Sequence, residues 1–241
     1  DDLVTWQAET GIDWQERRPY RVGWWHLGAD LANTVPTTGI PDDATTLLAQ
    51  LDARPSFLMV GTIEPRKGYL QAIEAFSTLW NEGLDINLVI VGKEGWKGLP
   101  DSIRRDIPHT TERLRNHHEL DKRLFWLEGI SDEYLEKLYA SCTCLIAASY
   151  GEGFGLPLIE AAQHKLPIIA RDIPVFREVA REQAFYFDAA SPDGLAQSVS
   201  EWLDLYQHGT HPTSDLMTWL RWKDSAAQLL NIILNKRRFQ C

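Results

Sequence analysis

The sequence predicts an α/β fold, a doubly wound parallel sheet with helices on both faces. Three observations carry this expectation. From residue 57 onward, short apolar runs alternate with amphipathic stretches of helical period. The strand-like runs end at Gly61, Gly92, Gly129 and the stretch Ser149-Tyr150-Gly151, and each is followed by a loop rich in glycine or charge. The composition, 44% hydrophobic and 24% charged over 241 residues, is that of an ordinary globular protein and allows one domain or a domain and a half.

The elements follow in order. Residues 57–61 (Phe-Leu-Met-Val-Gly) form a short buried strand. Residues 69–80 place Leu70, Ile73, Phe76, Leu79 and Trp80 at helical spacing. Residues 86–92 are the next strand, and a charged, irregular segment over 93–109 leads to a polar helix over about 110–119. A third strand spans 124–128. Ser131-Asp-Glu-Tyr134 then caps a helix to Ser141, the serine hydroxyl accepting from early amides. A fourth strand at 144–149 enters a glycine-rich loop. A helix over 156–165, a strand at 167–170, a short helix at 176–181 and a last strand at 184–187 follow. Ser191-Pro-Asp opens a helix to about residue 206, with serine at the cap and proline in the first turn.

The two ends differ from this rhythm. Residues 1–55 read as one short helix, a Trp-rich strand over 21–26 and a polar loop. Residues 207–214 (Gln-His-Gly-Thr-His-Pro-Thr-Ser) read as a linker. Residues 215–235 read as an amphipathic helix carrying Leu216, Trp219, Leu220, Trp222, Leu229, Leu230 and Ile233. Both ends look built to pack on a neighbour, and the start at Asp1-Asp2 without a methionine reads as a piece of something longer.

Bulk properties exclude several classes. A net charge of −10 argues against a broad nucleic-acid footprint, so any basic residues that meet a ligand must act locally. No apolar run approaches the ~18 residues of a membrane span, and no signal peptide opens the chain. Cys142, Cys144 and Cys241 are an odd set without zinc-knuckle spacing and read as reduced thiols, the first two buried at a strand start. No His-x-Glu, Cys-x-x-Cys or Asp-x-Asp arrangement suggests a metal. There is neither a Gly-x-x-x-x-Gly-Lys-Ser/Thr loop nor a Gly-x-Gly-x-x-Gly after the first strand, which counts against an NTPase and a nicotinamide enzyme. His117 and His118 read as solvated, and His164 as a charge near a helix end.

Two constellations carry chemistry. In Tyr150-Gly-Glu-Gly-Phe-Gly-Leu-Pro-Leu-Ile-Glu160, two glutamates flank seven residues that turn sharply into a helix. A helix N-terminus offers free amides and a positive dipole to an anion, and the carboxylates accept from hydroxyls. In Gly61-Thr-Ile-Glu-Pro-Arg-Lys67-Gly68, Arg66 and Lys67 stand just before a helix, where two cations can clamp a diphosphate. Both constellations fall at the carboxyl edge of the sheet, where such folds bind ligands.

These residues resemble the retaining glycosyltransferases of the GT-B fold, family 4. The paired-glutamate motif from Glu152 to Glu160 is joined by Val60-Gly-Thr-Ile-Glu-Pro-Arg-Lys-Gly68, Val91-Gly92, Leu127-Glu-Gly-Ile-Ser-Asp-Glu-Tyr134 and Pro167-Ile-Ile-Ala-Arg-Asp-Ile-Pro174, in the family's order, over about residues 20–235. The pattern around Val60 looks most like bacterial polysaccharide or O-antigen mannosyltransferases. The resemblance implies a Rossmann-like donor-binding half. Residues 1–30 would be a remnant of an interdomain linker or N-terminal domain, 31–208 the nucleotide-sugar-binding domain, and 209–241 a helix crossing back to an N-terminal domain. Lys67 and Arg66 would hold the donor diphosphate, and Glu152 would contact the transferred sugar. The backbone of Gly153, Phe154, Gly155 and Leu156 would take its hydroxyls or the phosphate, Glu160 the ribose, and Gly61, Gly129 and Ile130 would line the nucleotide. Many members carry an arginine where this chain has Thr62, and Arg66 would supply that charge.

The implied reaction is hexosyl transfer without a metal. Charge growing on the leaving diphosphate would be met by cations and a helix N-terminus. The donor would be GDP-mannose, with UDP-glucose or another UDP-hexose as the alternative. The acceptor, a glycan or lipid-linked sugar, would be held by the absent N-terminal domain. The enzyme would act in the cytoplasm, the full-length protein associating peripherally with the inner face of the cytoplasmic membrane. A non-catalytic nucleotide-sugar-binding module and a sugar-nucleotide epimerase remain as other readings.

Overall fold

The computed structural model describes residues 23–29 and 36–235. Contacts group the chain into a larger unit, residues 34–218, and a smaller one, residues 1–33 with 219–241. The larger unit begins with α1 (Ala44–Asp52), β1 (Ser56–Val60), a 3-10 turn (Pro65–Lys67), α2 (Tyr69–Asn81) and β2 (Asn87–Val91). It continues through α3 (Ile107–Arg115), β3 (Leu124–Leu127), α4 (Asp132–Ser141), β4 (Cys144–Ala147) and α5 (Leu156–Gln163). It ends with β5 (Ile168–Arg171), α6 (Pro174–Ala180), β6 (Phe185–Phe187) and α7 (Pro192–Gln207).

The six strands are parallel in the order β3-β2-β1-β4-β5-β6. Strand order therefore reverses between β1 and β4, opening a crevice beyond their carboxyl ends. Because side chains alternate along a strand, each strand serves two cores. Phe57 and Met59 of β1, Leu88 and Ile90 of β2, and Cys144 and Ile146 of β4 join the core built with α2, α3 and α7. Phe57 meets Phe76 and Trp202 edge-on at 5.4 and 5.6 Å, the favoured geometry for aromatic quadrupoles. Leu58, Val89 and Leu145, fully buried, point to the other face. Trp80 seats its indole N–H on Ile86 O at 2.8 Å, so its burial leaves no polar atom stranded.

The strands and helices expected between residues 57 and 206 are present, with ends moved by a residue or more. The polar helix expected at 110–119 lies earlier, at Ile107–Arg115, where proline sits in the first turn. His117 therefore lies beyond the helix, and it is buried rather than solvated. Its ring lies 2.9 Å from Ser77 Oγ, accepts from Glu119 N–H and meets Trp80 edge-on. Burial pulls its pKa down, aided by neighbouring positive charge. Ser131 caps α4 as expected, accepting from Tyr134 N–H at 3.1 Å. The cap is extended by a strap: Thr37 donates from its N–H and its hydroxyl to Asp132 Oδ2, Gly39 N–H donates to Glu133 Oε2, and Ser131 Oγ donates to Gly39 O.

Two expectations for the ends change. The stretch after residue 207 is no free linker. Ser214 is fully buried and donates to Leu166 O at 2.9 Å, Met217 is buried, and His211 stands edge-on to Trp202. The last helix, here α8 (Trp222–Asn235), starts seven residues later than its apolar pattern suggests. Leu220 is instead extended, bridged to Gly28 and accepting from Ala29 N–H at 2.9 Å. Gly23–His26 form no strand, and Arg21 and Val22 lie outside the described residues. Within the smaller unit, Ser225 Oγ donates to His26 O, and Trp24, Leu230, Ile233 and Leu234 are exposed. No described helix is long and apolar enough to cross a membrane.

Candidate functional site

The site grows from the turn after β1. Pro65, with its fixed φ, starts the 3-10 turn, and Lys67 N–H closes it on Glu64 O. Gly68 ends it at φ 72°, a left-handed conformation natural to glycine. A Cβ at this position would stand 2.4 Å from Ala148 O, so only glycine lets this turn lie against the exit of β4. Gly155 plays the same part before α5, at φ 86°, where a Cβ would fall 2.9 Å from Phe176. The two loops are thereby pressed together, and Tyr150 N–H donates to Arg66 O at 2.7 Å.

That approach brings Arg66, Lys67 and Glu152 into direct contact. Lys67 Nζ lies 2.5 Å from Glu152 Oε1, and Arg66 Nη1 lies 2.5 Å from Glu152 Oε2. Ser149 Oγ donates to Oε1 at 2.8 Å. Arg66 also reaches Gly151 O and, through Nε, Glu64 Oε2 at 3.1 Å each. Burial would raise the pKa of Glu152, but bonds from Lys67, Ser149 and Arg66 outweigh it and hold the carboxyl below its usual range. Lys67, Glu152, Ser149, Tyr69, Gly155 and Phe176 line one small recess at the crevice.

Glu160 takes a different environment. It lies within α5 and accepts from Tyr139 OH at 2.7 Å, and Tyr139 stacks flat on His164 at 5.2 Å. Burial raises its pKa against the pull of that hydroxyl, and the charge of Lys67 reaches it as a smaller favourable influence. Gly153, Phe154 and Leu156 lie at the entry to α5, whose leading amides have no partner within the helix. Gly61 follows β1 and accepts from Tyr69 OH at 2.6 Å, while Gly129, with φ 65°, and the half-buried Ile130 follow β3. All these residues therefore sit on the carboxyl edge. Arg66, Lys67 and Glu152 touch, Glu160 stands apart on Tyr139, and Gly129 and Ile130 follow β3, two strands from β1 and three from β4, beside the strap.

Sequence reasoning missed Ser149, Tyr69 and Tyr139. Ser149 directly precedes the glycine turn and Tyr69 directly follows Gly68, so proximity to the motifs was the available signal. Tyr139 comes from a different helix, and nothing local marks it. Cys142 and Cys144 are buried thiols with pKa values pushed up by burial, that of Cys142 to about 12, and Cys241 lies outside the described residues. No group of three or more His, Cys, Asp or Glu among the described residues could hold a metal ion.

Residues 48–212 match the family model described as "Glycosyl transferases group 1". The chain belongs to this family. It is 53% identical over 231 residues to the serotype-specific mannosyltransferase WbdA of Escherichia coli, covering 95% of this chain and 27% of that protein. The chain thus spans about a quarter of the length of that relative. Among solved structures it resembles sucrose-phosphate synthase from Thermosynechococcus elongatus, with TM-score 0.63 and 21% identity over 87% of this chain and 51% of that one. It also resembles Anabaena HepE, solved with UDP and glucose, with TM-score 0.60 and 17% identity over 81% and 52%. These structural likenesses establish the fold, a Rossmann-like parallel sheet of the kind found in GT-B glycosyltransferases.

Proposed function

We propose that this chain is the donor-binding domain of a retaining glycosyltransferase. It presents a hexosyl group, mannose from GDP-mannose in the first instance, for transfer to a glycan or lipid-linked acceptor in bacterial polysaccharide synthesis. The longer protein would work at the cytoplasmic face of the membrane. The mannosyltransferase name of the WbdA relative supports the sugar, and the UDP in HepE keeps a UDP-hexose as the alternative.

The observation that carries the reading is the pair of cations, Arg66 and Lys67, held by one carboxylate at the mouth of α5. Glu152 occupies the cations as a diphosphate would. A bound diphosphate takes over Arg66 and Lys67 and leaves the Glu152 carboxylate to accept from sugar hydroxyls. As the bond from anomeric carbon to phosphate lengthens, negative charge moves onto the diphosphate, toward two cations and a helix N-terminus already in place. Glu152 then positions the sugar and stabilises its cationic ring. Glu160 accepts from the ribose, and the backbone at Gly61, Gly129 and Ile130 lines the nucleotide.

Calorimetric titration with GDP, GDP-mannose, UDP and UDP-glucose tests this. One nucleotide series should bind, and Lys67→Met should weaken it about tenfold or more, the scale of one charge-assisted hydrogen bond. Glu152→Gln should bind the bare diphosphate more tightly, having freed two cations, yet lower transfer by the longer protein. Unchanged diphosphate affinity in both variants would overturn the assignment.

A further inference from the structure

Arg171, the last residue of β5, is 6% exposed, and no carboxylate among the described residues forms an ion pair with it. A buried charge with no carboxylate in direct contact is expensive unless its donors find other acceptors. Here the planar fork is spent on three separate segments. Nε donates to Ala148 O at 3.0 Å, at the exit of β4. Nη1 donates to Ala189 O at 2.7 Å, beyond β6, and Nη2 donates to Gln71 Oε1 in the first turn of α2. Gln71 returns its own N–H groups to Ala189 O and Ser191 O at 2.9 and 2.8 Å. The guanidinium also lies 4.0 Å from the centre of the Tyr150 ring and 4.8 Å from that of Phe187.

The contacts with Ala148, Tyr150 and Gln71 bear on the Glu152 turn. Ala148 precedes Ser149, which donates to Glu152. Tyr150 precedes Gly151, and its N–H is bonded to Arg66 O. Its ring is half exposed, and its hydroxyl donates to the same Gln71 oxygen at 3.2 Å. A Cβ at Gly151 or Gly153 would meet nothing within 4 Å, so the turn is held not by packing but by Arg66 on Gly151 O, by the bonds to Glu152 and by the anchoring of Tyr150.

We propose that Arg171 is a positioning residue for this site: through Ala148 and Tyr150 it fixes the glycine turn that carries Glu152 against Arg66 and Lys67. The proposal rests on the donor-binding reading for its consequence, but its physical content, the anchoring of residues 149–153, is separate. Lysine cannot replace it, because a single ammonium on a flexible stem lacks the fork that joins three acceptors and stacks on a ring.

Amide hydrogen exchange on the whole chain decides the matter. Arg171→Met should speed exchange at residues 149–153 about tenfold, the scale of one lost charge-assisted bond, while amides of β2 at residues 88–91 keep their rate. Tyr150→Leu, a change at a half-exposed side chain that will fold, should speed the same segment. Arg171→Lys should restore little of the protection. Unaltered exchange at 149–153 in Tyr150→Leu, or an equal rise in the turn and in β2 for Arg171→Met, would overturn the proposal. A GDP and UDP titration of the unmutated chain runs alongside: failure to bind either would sink the donor reading, while the exchange pattern would still decide what Arg171 anchors.

Discussion

Glu152 and Glu160 show how two chemically identical side chains, one loop apart, are driven in opposite directions. Glu152 meets two cations and a hydroxyl and is held ionised. Glu160 has one phenol and a buried setting, which raises its pKa. A raised folded-state pKa favours folding below the unfolded value, about 4.3, and that contribution is lost as pH rises through the folded value. Above the unfolded value Glu160 therefore burdens the fold. Glu160→Gln should unfold at a higher temperature than the parent at pH 7, with the gap closing toward pH 4, and should lose nucleotide affinity. Melting curves at the two pH values, paired with titration, check both halves. The pattern Arg66, Lys67, Glu152, Glu160 was legible in the sequence because each residue lies within a few positions of a glycine turn. Tyr139, Ser149 and Arg171 were not: what they do depends on partners brought close only by the folded sheet. His117 was misread for the same reason, since Ser77 and Trp80 sit some forty residues upstream.

At the scale of elements, local signals sufficed where chain chemistry sets the boundary. Ser131 and Ser191 cap α4 and α7 as their hydroxyls suggested, each accepting from an amide three residues on. They failed where tertiary pairing overrides periodicity. Leu216, Trp219 and Leu220 have helical spacing, but Leu220 is drawn into a bridge with Gly28, so α8 begins only at Trp222. α1 lies within residues 1–55, where the sequence suggested one short helix without fixing its place, because its polar threonines obscure the buried Ala44 and Leu51. The sharpest element-level constraint is the glycine between the 3-10 turn and α2. Gly68→Ala would pay for a left-handed residue, roughly 1–2 kcal/mol, and would also drive its Cβ into Ala148 O. Denaturant unfolding should show a loss of at least that size, and nucleotide binding should weaken with it, because Lys67 and the β4 exit would be pushed apart.

At the scale of the molecule, the doubly wound sheet followed from the alternation of strands and helices, and its order places the reversal between β1 and β4, the strands whose exits carry the two motifs. The ends were harder to read, since their apolar residues include side chains that stay exposed in this chain, Trp24, Leu230, Ile233 and Leu234 among them. We expect a second domain of the longer protein to cover them and to supply the acceptor pocket. This chain alone should then bind a nucleotide sugar yet transfer little of it, as chromatography of a reaction with donor and a mannoside acceptor would reveal. Rapid transfer by the chain alone would contradict that division of labour.

The return of the polypeptide past α7 has a practical side. Ser214 caps a carbonyl at the end of α5's loop, and Met217 closes over buried surface. A version of this protein trimmed at residue 208, where the sequence invites a cut, would strip both away and strand Leu166 O. Losing the methionine alone should remove about 1.5–3 kcal/mol of burial. Anyone preparing the larger unit by itself should therefore stop after Thr218, and a melting comparison of the two lengths would show the difference directly.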